Sequence, residues 1–281
     1  MTAHTGTRPQ DRPAIGIVII GDEILSGKRA DKHLPKFIEL LTERGLQLAW
    51  AEYVGDSPDR ITAVLKRAFA SGDVVFSCGG IGATPDDHTR QCAAKALGLP
   101  LVLQPEAKAL IQERMRDVAL EQGLPYEPER EDNQHRLNMG VFPQGAEIIR
   151  NPYNKIPGFT CPGSGAGLVH FVPGFPVMAW PMMQDKLDAY CQTWGSSPRS
   201  VERSVIVFGA MEATLTPLME AIELQFPGIK VFSLPSVDHP QWGKHIELGV
   251  KGDEALSMLA FSVLKSGLIP FQVKLGPEMV R

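Results

Sequence analysis

The sequence predicts an α/β fold, with a mainly parallel sheet covered by helices on both faces, followed by a smaller α+β domain. Short runs of apolar, β-branched residues, of which residues 14–20 (AIGIVII) are the clearest, are typical of strands buried on both faces. These runs alternate with helical patterns in the order βαβαβ, and the short connections favour parallel pairing. Around residues 194–199 the composition changes to small and polar residues, which indicates a domain boundary.

The early elements follow from spacing. The first helix is predicted over residues 32–44 and ends at Gly45. Its apolar residues recur along one face: Leu34, Phe37, Ile38 and Leu41. Strands are predicted over residues 46–54 and 73–77. Between them lies a helix over residues 61–69, whose start is marked by the N-cap and first-turn residues Ser57 and Pro58.

The later elements are assigned in the same way. Beyond the third strand we predict helices at residues 86–97, 106–121 and 177–194, and a strand at residues 168–172. Stretches rich in charge, proline or glycine are predicted as loops at residues 123–134 and 151–167. The smaller domain, residues 195–281, is expected to contain strands near residues 201–209, 230–234 and 245–250 and helices at residues 213–225 and 253–264.

Composition argues against several classes of function. The net charge of −4 disfavours a general nucleic-acid binder. Residues 1–13 are polar and are interpreted as a disordered leader, not as a signal peptide. No apolar run approaches the roughly 20 residues of a membrane helix. We therefore expect a cytoplasmic protein with no nucleic-acid or membrane partner.

The cysteines and serines give no catalytic pattern. The four cysteines are far apart in the sequence, which disfavours a zinc site, and in a reducing compartment we expect no disulfides: Cys78, Cys92, Cys161 and Cys191. No Gly-x-Ser-x-Gly sequence occurs. A covalent-nucleophile mechanism is therefore disfavoured.

Residues 79–89, GGIGATPDDHT, are the strongest candidate for a ligand site. Three glycines allow positive φ and a close approach of the backbone to a ligand: Gly79, Gly80 and Gly82. The amides of such a turn, with the N-terminus of a helix expected to begin near Asp86, form a pocket for a phosphate. Asp86 and Asp87 would repel that phosphate unless a cation intervenes. They therefore indicate Mg²⁺ or a similar hard metal, or an acid–base role.

Two more polar loops, residues 21–27 (GDEILSG) and 55–57, are predicted at the same edge of the sheet, where ligands bind in folds of this kind. We predict Asp86 and Asp87 as catalytic residues. The predicted ligand contacts are Gly21, Asp22, Ser26, Gly27, Gly79, Gly80, Gly82, Thr84, His88 and Thr89. The predicted metal ligands are Asp22, Glu23, Asp56 and Asp87. The alternative is that these acids, like Asp31, only cap helices and complement their dipoles.

Together these blocks resemble the molybdopterin-binding domain family. The residues that carry the resemblance are GDEILSG, Asp31, VGD at residues 54–56, GGIGATPDDHT, GAEIIRNP…PGF at residues 145–159 and VPGFP at residues 172–176. The family includes the MoaB and Mog proteins, a domain of gephyrin and the N-terminal domain of CinA-like proteins, and the chain is most similar to the CinA-like branch. The smaller domain resembles the CinA-type α+β (KH-like) module.

The resemblance implies a three-layer α/β/α domain that binds a pterin or a dinucleotide phosphate, and a homodimer. In Mog-like members the acid matching Asp87 serves metal-dependent adenylyl transfer to molybdopterin. CinA-like members are linked to metal-dependent hydrolysis of the pyrophosphate in ADP-ribose-type dinucleotides. That chemistry is reasonable, because a divalent metal neutralises a diphosphate and lowers the pKa of an attacking water.

The chain departs from the CinA-like pattern in two places. Asn is usual in the stretch where it has Asp31, Lys32 and His33, and its PGFPVMAW at residues 173–180 lacks the Glu of the P-G-V-P-x-E-M block. The CinA amidohydrolase domain is also absent from the sequence, so deamidation of nicotinamide mononucleotide is not expected. Three functions stay open: a metal-dependent enzyme or binder for dinucleotide pyrophosphates, a non-catalytic molybdopterin-binding module, or an assembly protein.

Overall fold

The computed structural model describes residues 12–194 and 200–281. The chain divides into two compact units, Met1–Ser196 and Ser197–Arg281. Of the predicted leader, residues 1–13, only Arg12 and Pro13 are described, and the predicted boundary segment 195–199 lies outside the described residues. The predicted domain limits, 14–194 and 195–281, stay predictions.

A six-stranded sheet forms the centre of the first unit. Its strands are β1 Ile15–Ile20, β2 Trp50–Val54, β3 Val74–Cys78, β6 Glu147–Ile149, β7 Gly158–Pro162 and β8 Leu168–Val172. In the order β2-β1-β3-β8-β7-β6, the first four strands are parallel and the last two are antiparallel. The short strands β4 Leu101–Leu103 and β5 Val141–Pro143 pair separately. The predicted mainly parallel sheet is confirmed.

Helices cover both faces of this sheet. Successive side chains of each strand point to opposite faces, and apolar residues on both faces are buried against helices. The helices are α1 Asp22–Leu25, α2 His33–Glu43, α3 Pro58–Ser71, α4 Thr89–Leu97, α5 Pro105–Glu121, α6 Glu131–Arg136 and α7 Pro176–Trp194. Val18 and Val75 lie in one core with residues of α3 and α4. Ile17 and Phe76 lie in the other with residues of α2 and α7. The predicted layering is therefore confirmed.

The buried face of α2 differs from the predicted one. Leu40 is fully buried, whereas Ile38, which we placed on the core face, is 46% exposed. The buried residues of this helix are His33, Phe37, Leu40 and Leu41. Their spacing is as regular as the predicted one, so the apolar pattern alone allowed two rotations of the helix.

Two predicted loops contain regular structure. Residues 151–167 include β7, and residues 123–134 include the start of α6. We took the glycines of the first stretch as evidence against a strand. Gly158 instead lets β7 lie close to its neighbour, because a Cβ there would come within 2.2 Å of the Phe171 carbonyl oxygen. In a strand, glycine can mark such a close backbone approach.

The second unit is an antiparallel sheet with two helices. Its elements are β9 Ser200–Phe208, α8 Glu212–Gln225, β10 Lys230–His239, β11 Gly243–Asp253, α9 Glu254–Leu268 and β12 Lys274–Val280. The strand order is β10-β11-β9-β12. The α+β class is confirmed, although β12 was not predicted. Its short apolar sequence, KLGPEMV, contains a glycine and a proline, which weaken a strand pattern.

One segment comes closer to the length of a membrane helix than the sequence prediction stated. Among the described residues, Glu254–Phe271, which contains α9, is apolar enough over 18 residues to cross a membrane by length and composition. One such helix is weak evidence for a membrane span. Ala260, Phe261, Leu264 and Leu268 of this helix are buried in the core of the second unit.

Candidate functional site

The loops that follow β1, β2 and β3 meet at one edge of the sheet. The Gly21 amide donates to the Val54 carbonyl at 3.0 Å. The Asp22 amide donates to Asp56 Oδ2 at 2.9 Å, and the Asp56 amide donates to Asp22 Oδ1 at 3.1 Å. Gly21, Glu23 and Asp56 of these loops border a cavity of about 390 Å³, together with residues 79–84, Asp86 and Asp87. This volume is within the usual range for small-molecule sites.

Two glycines of the turn are required by its geometry. Gly80 has a φ of +68°, and a Cβ there would lie 2.1 Å from Thr89 Oγ1. Gly79 has a φ of +104°, and its Cβ would lie 2.4 Å from the Ile20 carbonyl oxygen. Side chains are excluded from both positions by backbone strain and by overlap. The turn is therefore packed directly onto the end of β1 and the start of α4.

Thr89 and Arg90 hold the turn from inside the protein. Thr89 is fully buried, and its hydroxyl donates to the Gly79 carbonyl at 3.1 Å, so it supports the turn. Its predicted contact with a ligand stays a prediction. Arg90 is also buried and donates to the Ile81 carbonyl. Burial lowers the pKa of its guanidinium, which the nearby Asp87 carboxylate opposes. Arg90 was not predicted, although an Arg in the first turn of α4 was a usable signal.

The backbone of the turn offers hydrogen-bond donors. Within the part of the chain that the structure describes, the amides of Gly80, Ile81, Gly82 and Ala83 have no hydrogen-bond acceptor. All four residues border the cavity. Consecutive free amides in a turn are a suitable site for an anion. The predicted use of this turn for a phosphate is therefore chemically sound.

The two aspartates of the turn differ in their surroundings. Asp87 Oδ2 accepts hydrogen bonds from the Thr84 amide at 2.9 Å and from the Thr84 hydroxyl at 2.6 Å. A Cβ on Gly82 would lie only 2.5 Å from Oδ2 of this carboxylate, so glycine is needed there for close packing. Unlike Gly79 and Gly80, Gly82 does not have a positive φ. Asp86 is exposed and borders the cavity. Asp87 thus closes the turn, and Asp86 is the more available acid.

The helix after the turn begins later than predicted. α4 starts at Thr89 with His88 as its N-cap residue, not near Asp86. Residues 84–87 instead form a turn in which the Asp87 amide donates to the Thr84 carbonyl at 3.0 Å. The reason is the hydrogen bonding of Asp87 to Thr84, since Asp side chains compete with helical backbone bonding. Neither aspartate therefore caps α4.

The predicted metal ligands are near one another but do not form a cage. Burial raises the pKa of the Asp56 carboxyl, and the charges of Asp22, Glu23 and Asp86 raise it further. Among the described residues, no group of three or more His, Cys, Asp or Glu side chains is placed to hold a metal ion. Asp22 and Asp56 each accept a backbone amide of the other's loop, and Asp87 accepts from Thr84. The residues do not fit a resident metal.

Five predicted ligand residues do not border the cavity: Asp22, Ser26, Gly27, His88 and Thr89. Ser26 and Gly27 are exposed beyond α1, because the short helix turns the chain away from the sheet edge. His88 lies at the start of α4 and does not border the cavity either. Arg29, which we did not predict, does border it. The available signal was the basic pair Lys28-Arg29 directly after GDEILSG, of which Arg29 supplies a cation to the cavity that the free amides border.

Comparison with known proteins identifies the family. Residues 16–190 match the family model described as a probable molybdopterin binding domain. This stretch covers the six-stranded sheet and the glycine turn. The chain belongs to that family.

Individual relatives agree. A protein of Pyrobaculum calidifontis is 30% identical to this chain over 237 residues, which are 83% of this chain and 86% of the relative. A CinA-like protein of Anaeromyxobacter dehalogenans is 34% identical over 163 residues, 58% of the chain and 37% of the relative. The crystal structure of CinA from Thermoplasma acidophilum aligns with a TM-score of 0.50 at 28% identity, over 64% of this chain and 97% of that one. The CinA-like resemblance is confirmed.

The rest of the cavity wall in this molybdopterin-binding domain is largely apolar, and sequence reasoning missed it. It includes Ile156 and Pro157 before β7, and Phe175 and Met178 at the start of α7. Met178 stands where the P-G-V-P-x-E-M block has its Glu, and its sulfur accepts a hydrogen bond from Asn154 Nδ2 at 3.6 Å. The absent acid is thus replaced by apolar surface inside the cavity.

A larger cleft of about 920 Å³ lies elsewhere in the molybdopterin-binding domain, bordered by β6, α5 and α7. Its Arg150 is 2.8 Å from Glu106, and its Lys155 is 2.7 Å from Glu113. These two cations are already paired with acids, and Glu147 and Asp185 add negative charge to the cleft, which disfavours an anionic ligand there. The smaller cavity, which joins free amides to an apolar wall, is the better ligand site.

Proposed function

We propose that this domain binds a small molecule that carries a phosphate, either a pterin or a dinucleotide, with the phosphate on the amides of residues 80–83. The free amides at the edge of the cavity support this proposal most strongly. Arg29 adds positive charge to the same cavity. Membership of the molybdopterin-binding family supports a pterin ligand, and similarity to CinA-like proteins supports a dinucleotide.

Calorimetry tests the binding proposal. The full chain is titrated with a pterin phosphate, with ADP-ribose and with inorganic pyrophosphate, with and without Mg²⁺. We expect saturable binding of at least one of the first two. A wild-type protein that binds none of the three would contradict the phosphate site.

A second candidate function is hydrolysis of the dinucleotide pyrophosphate. The group of acids around Asp56 favours it, since burial and then the charges of three neighbouring carboxylates raise the pKa of Asp56. Mg²⁺ often contacts one or two carboxylates together with substrate phosphates, so a metal carried in by the ligand suits this arrangement better than a resident one. When bound, such a metal would neutralise the diphosphate and activate water.

Product analysis decides between binding and hydrolysis. ADP-ribose or FAD is incubated with the protein and Mg²⁺, Mn²⁺ or Co²⁺, and AMP is measured. If the chain is a hydrolase, Asp86→Asn should lower AMP release at least tenfold, because Asp86 is the exposed acid of the turn, and Asp59→Asn, on an exposed acid of α3, should not. Tight binding without AMP release in the presence of any of these metals would contradict hydrolysis and support a non-catalytic binding module.

Three further features are proposals that rest on the resemblance and on composition. We propose that the protein is cytoplasmic, that it forms a homodimer, and that its domains span residues 14–194 and 195–281. Light scattering coupled to size-exclusion chromatography tests the dimer, for which a single peak at twice the chain mass of 30.7 kDa is expected.

A further inference from the structure

An exposed aromatic side chain stands at the mouth of the candidate cavity. Phe175 is 57% exposed although it borders the cavity with Met178, Met139, Ile156 and Pro157. Phe side chains bury a large apolar area when they pack, so one left open beside hydrogen-bonding amides offers unused binding surface. Small-molecule sites commonly combine an apolar wall with a few placed polar groups.

The backbone that carries Phe175 is fixed to the glycine turn. The Gly79 amide donates to the Val172 carbonyl at 3.0 Å, and a Cβ on Gly174 would be 3.5 Å from the Cα of Gly79. The buried His33 donates from Nε2 to the Gly174 carbonyl at 3.0 Å. The position of the Phe175 backbone relative to the free amides is therefore set by these contacts.

The start of α7 adds to this rigidity. The Phe175 carbonyl accepts the amides of Met178 at 3.0 Å and Ala179 at 2.9 Å, and Pro176 occupies the first turn. Proline there restricts the backbone before any ligand arrives. The backbone of Phe175 is consequently ordered before binding, so only its side chain has to be immobilised against a flat partner, which lowers the entropic cost.

We propose that Phe175, together with Met178, binds the planar heteroaromatic ring of the ligand whose phosphate lies on residues 80–83, and so selects ring-bearing phosphates over inorganic ones. The proposal rests on the proposed phosphate site. Aromatic rings stack in offset or tilted arrangements, and a methionine sulfur packs favourably against a ring. Pterin and adenine share this flat chemistry, so the geometry selects the class and not the individual ring.

Calorimetry with three probes tests the selection: ADP-ribose, a pterin phosphate and inorganic pyrophosphate, which has no ring. Phe175→Ala in the full chain removes the aromatic surface and, because the side chain is exposed, should leave the fold intact. Val177→Ala is the matched control, since Val177 is 51% exposed on the same turn and does not border the cavity.

We expect Phe175→Ala to weaken binding of the ring-bearing probe by about 10-fold or more, which is the usual effect of losing one stacking contact. Pyrophosphate affinity should stay within twofold, and Val177→Ala should change neither. The ring whose affinity falls names the ligand class, adenine or pterin. Equal losses for pyrophosphate and the ring-bearing probe, or no loss for either, would overturn the proposal while leaving the phosphate site in place. A wild type that binds no probe would overturn both.

Discussion

The two walls of the cavity are built in different ways. The polar wall is backbone, held by buried partners: Thr89 and Arg90 both donate to carbonyls of the turn, and Gly80 allows contact with Thr89. The apolar wall consists of side chains, and part of it, Ile156 and Pro157, belongs to the loop 151–157. One wall is therefore fixed by the core, whereas part of the other depends on a surface loop.

The loop is held by polar contacts at the surface. Lys155 has a φ of +64°, which is uncommon for a residue with a side chain, and its ammonium contacts Glu113 at 2.7 Å and Asp117 at 2.5 Å on α5. Asn151 Nδ2 donates to Asn154 Oδ1 at 2.8 Å within the loop. We expect the fixed wall to bind the phosphate that all the candidate ligands share, and the loop part of the apolar wall to accommodate the part that differs.

The largest effect is expected from Gly80→Ala. A methyl group would overlap Thr89 Oγ1 and occupy a strained φ, so the turn must shift and its amides lose their alignment. Strain and overlap together should cost about 2–4 kcal/mol of unfolding free energy. Loss of one or two hydrogen bonds to a charged phosphate should weaken binding about 100-fold. Denaturant unfolding and calorimetry measure the two effects.

Gly98→Ala separates strain from overlap. Gly98 has the same φ of +68° at the end of α4, but a Cβ there meets nothing within 4 Å. We expect a loss of about 1–2 kcal/mol and unchanged ligand affinity. If Gly80→Ala were no worse than this control in either measurement, the turn would not be the rigid wall described above.

The polar wall could be predicted because its requirements are local. Glycines and acids after an apolar run announce a turn at the end of a strand, and parallel order brings such turns together. The sequence did not show which of Asp86 and Asp87 is already hydrogen-bonded within the turn. Asp87 accepts hydrogen bonds from Thr84 three residues away, an arrangement that competes with a helix cap and that residue types alone do not decide.

The apolar wall could not be predicted because its residues come from segments distant in sequence. Ile156 and Phe175 look like ordinary loop and helix-start residues, and only tertiary packing places them in one cavity. The misassigned loop 151–167 has the same cause. Its glycines signal close strand packing as readily as a turn, and the difference lies in the neighbouring strand.

A smaller effect is expected from Lys155→Gly. Glycine tolerates the positive φ, so the substitution removes the contacts with Glu113 and Asp117 without adding strain. If the binding-competent arrangement of the loop falls to between about a third and a tenth of the population, affinity for the ring-bearing probe falls about threefold to tenfold. Calorimetry measures this affinity, and pyrophosphate affinity should not change.

Glu113→Gln combined with Asp117→Asn supplies the reciprocal variant, because it removes the same ion pairs from α5. Lys108→Ala, on an exposed lysine of α5 without an ion pair among the described residues, is the control and should change nothing. An affinity that stays constant in both ion-pair variants would show that the hydrogen bonds of Asn151 fix the loop on their own. The two walls would then be equally rigid.

The smallest effect is expected from Asp56→Asn, which removes the charge of one acid that borders the cavity. The pKa of Asp56 is raised from 3.8, so the folded state holds this proton more tightly than the unfolded chain does. Ionisation of Asp56 therefore destabilises the folded state. The free energy of unfolding falls as pH rises from about 3.8 through the folded pKa. Asp56→Asn keeps an oxygen that can accept from the Asp22 amide and removes the charge.

Thermal unfolding should show this variant melting on the order of 1 °C above wild type at neutral pH, a small gain because Asp56 is largely solvated. The difference should vanish below pH 3.8, where the wild-type carboxyl is protonated in both states. Asp59→Asn should give no gain, since Asp59 lies near Lys95 and not near other acids of the cavity. A gain of the same size for both substitutions would mean that overall charge, and not the crowding of acids at the phosphate wall, sets the stability.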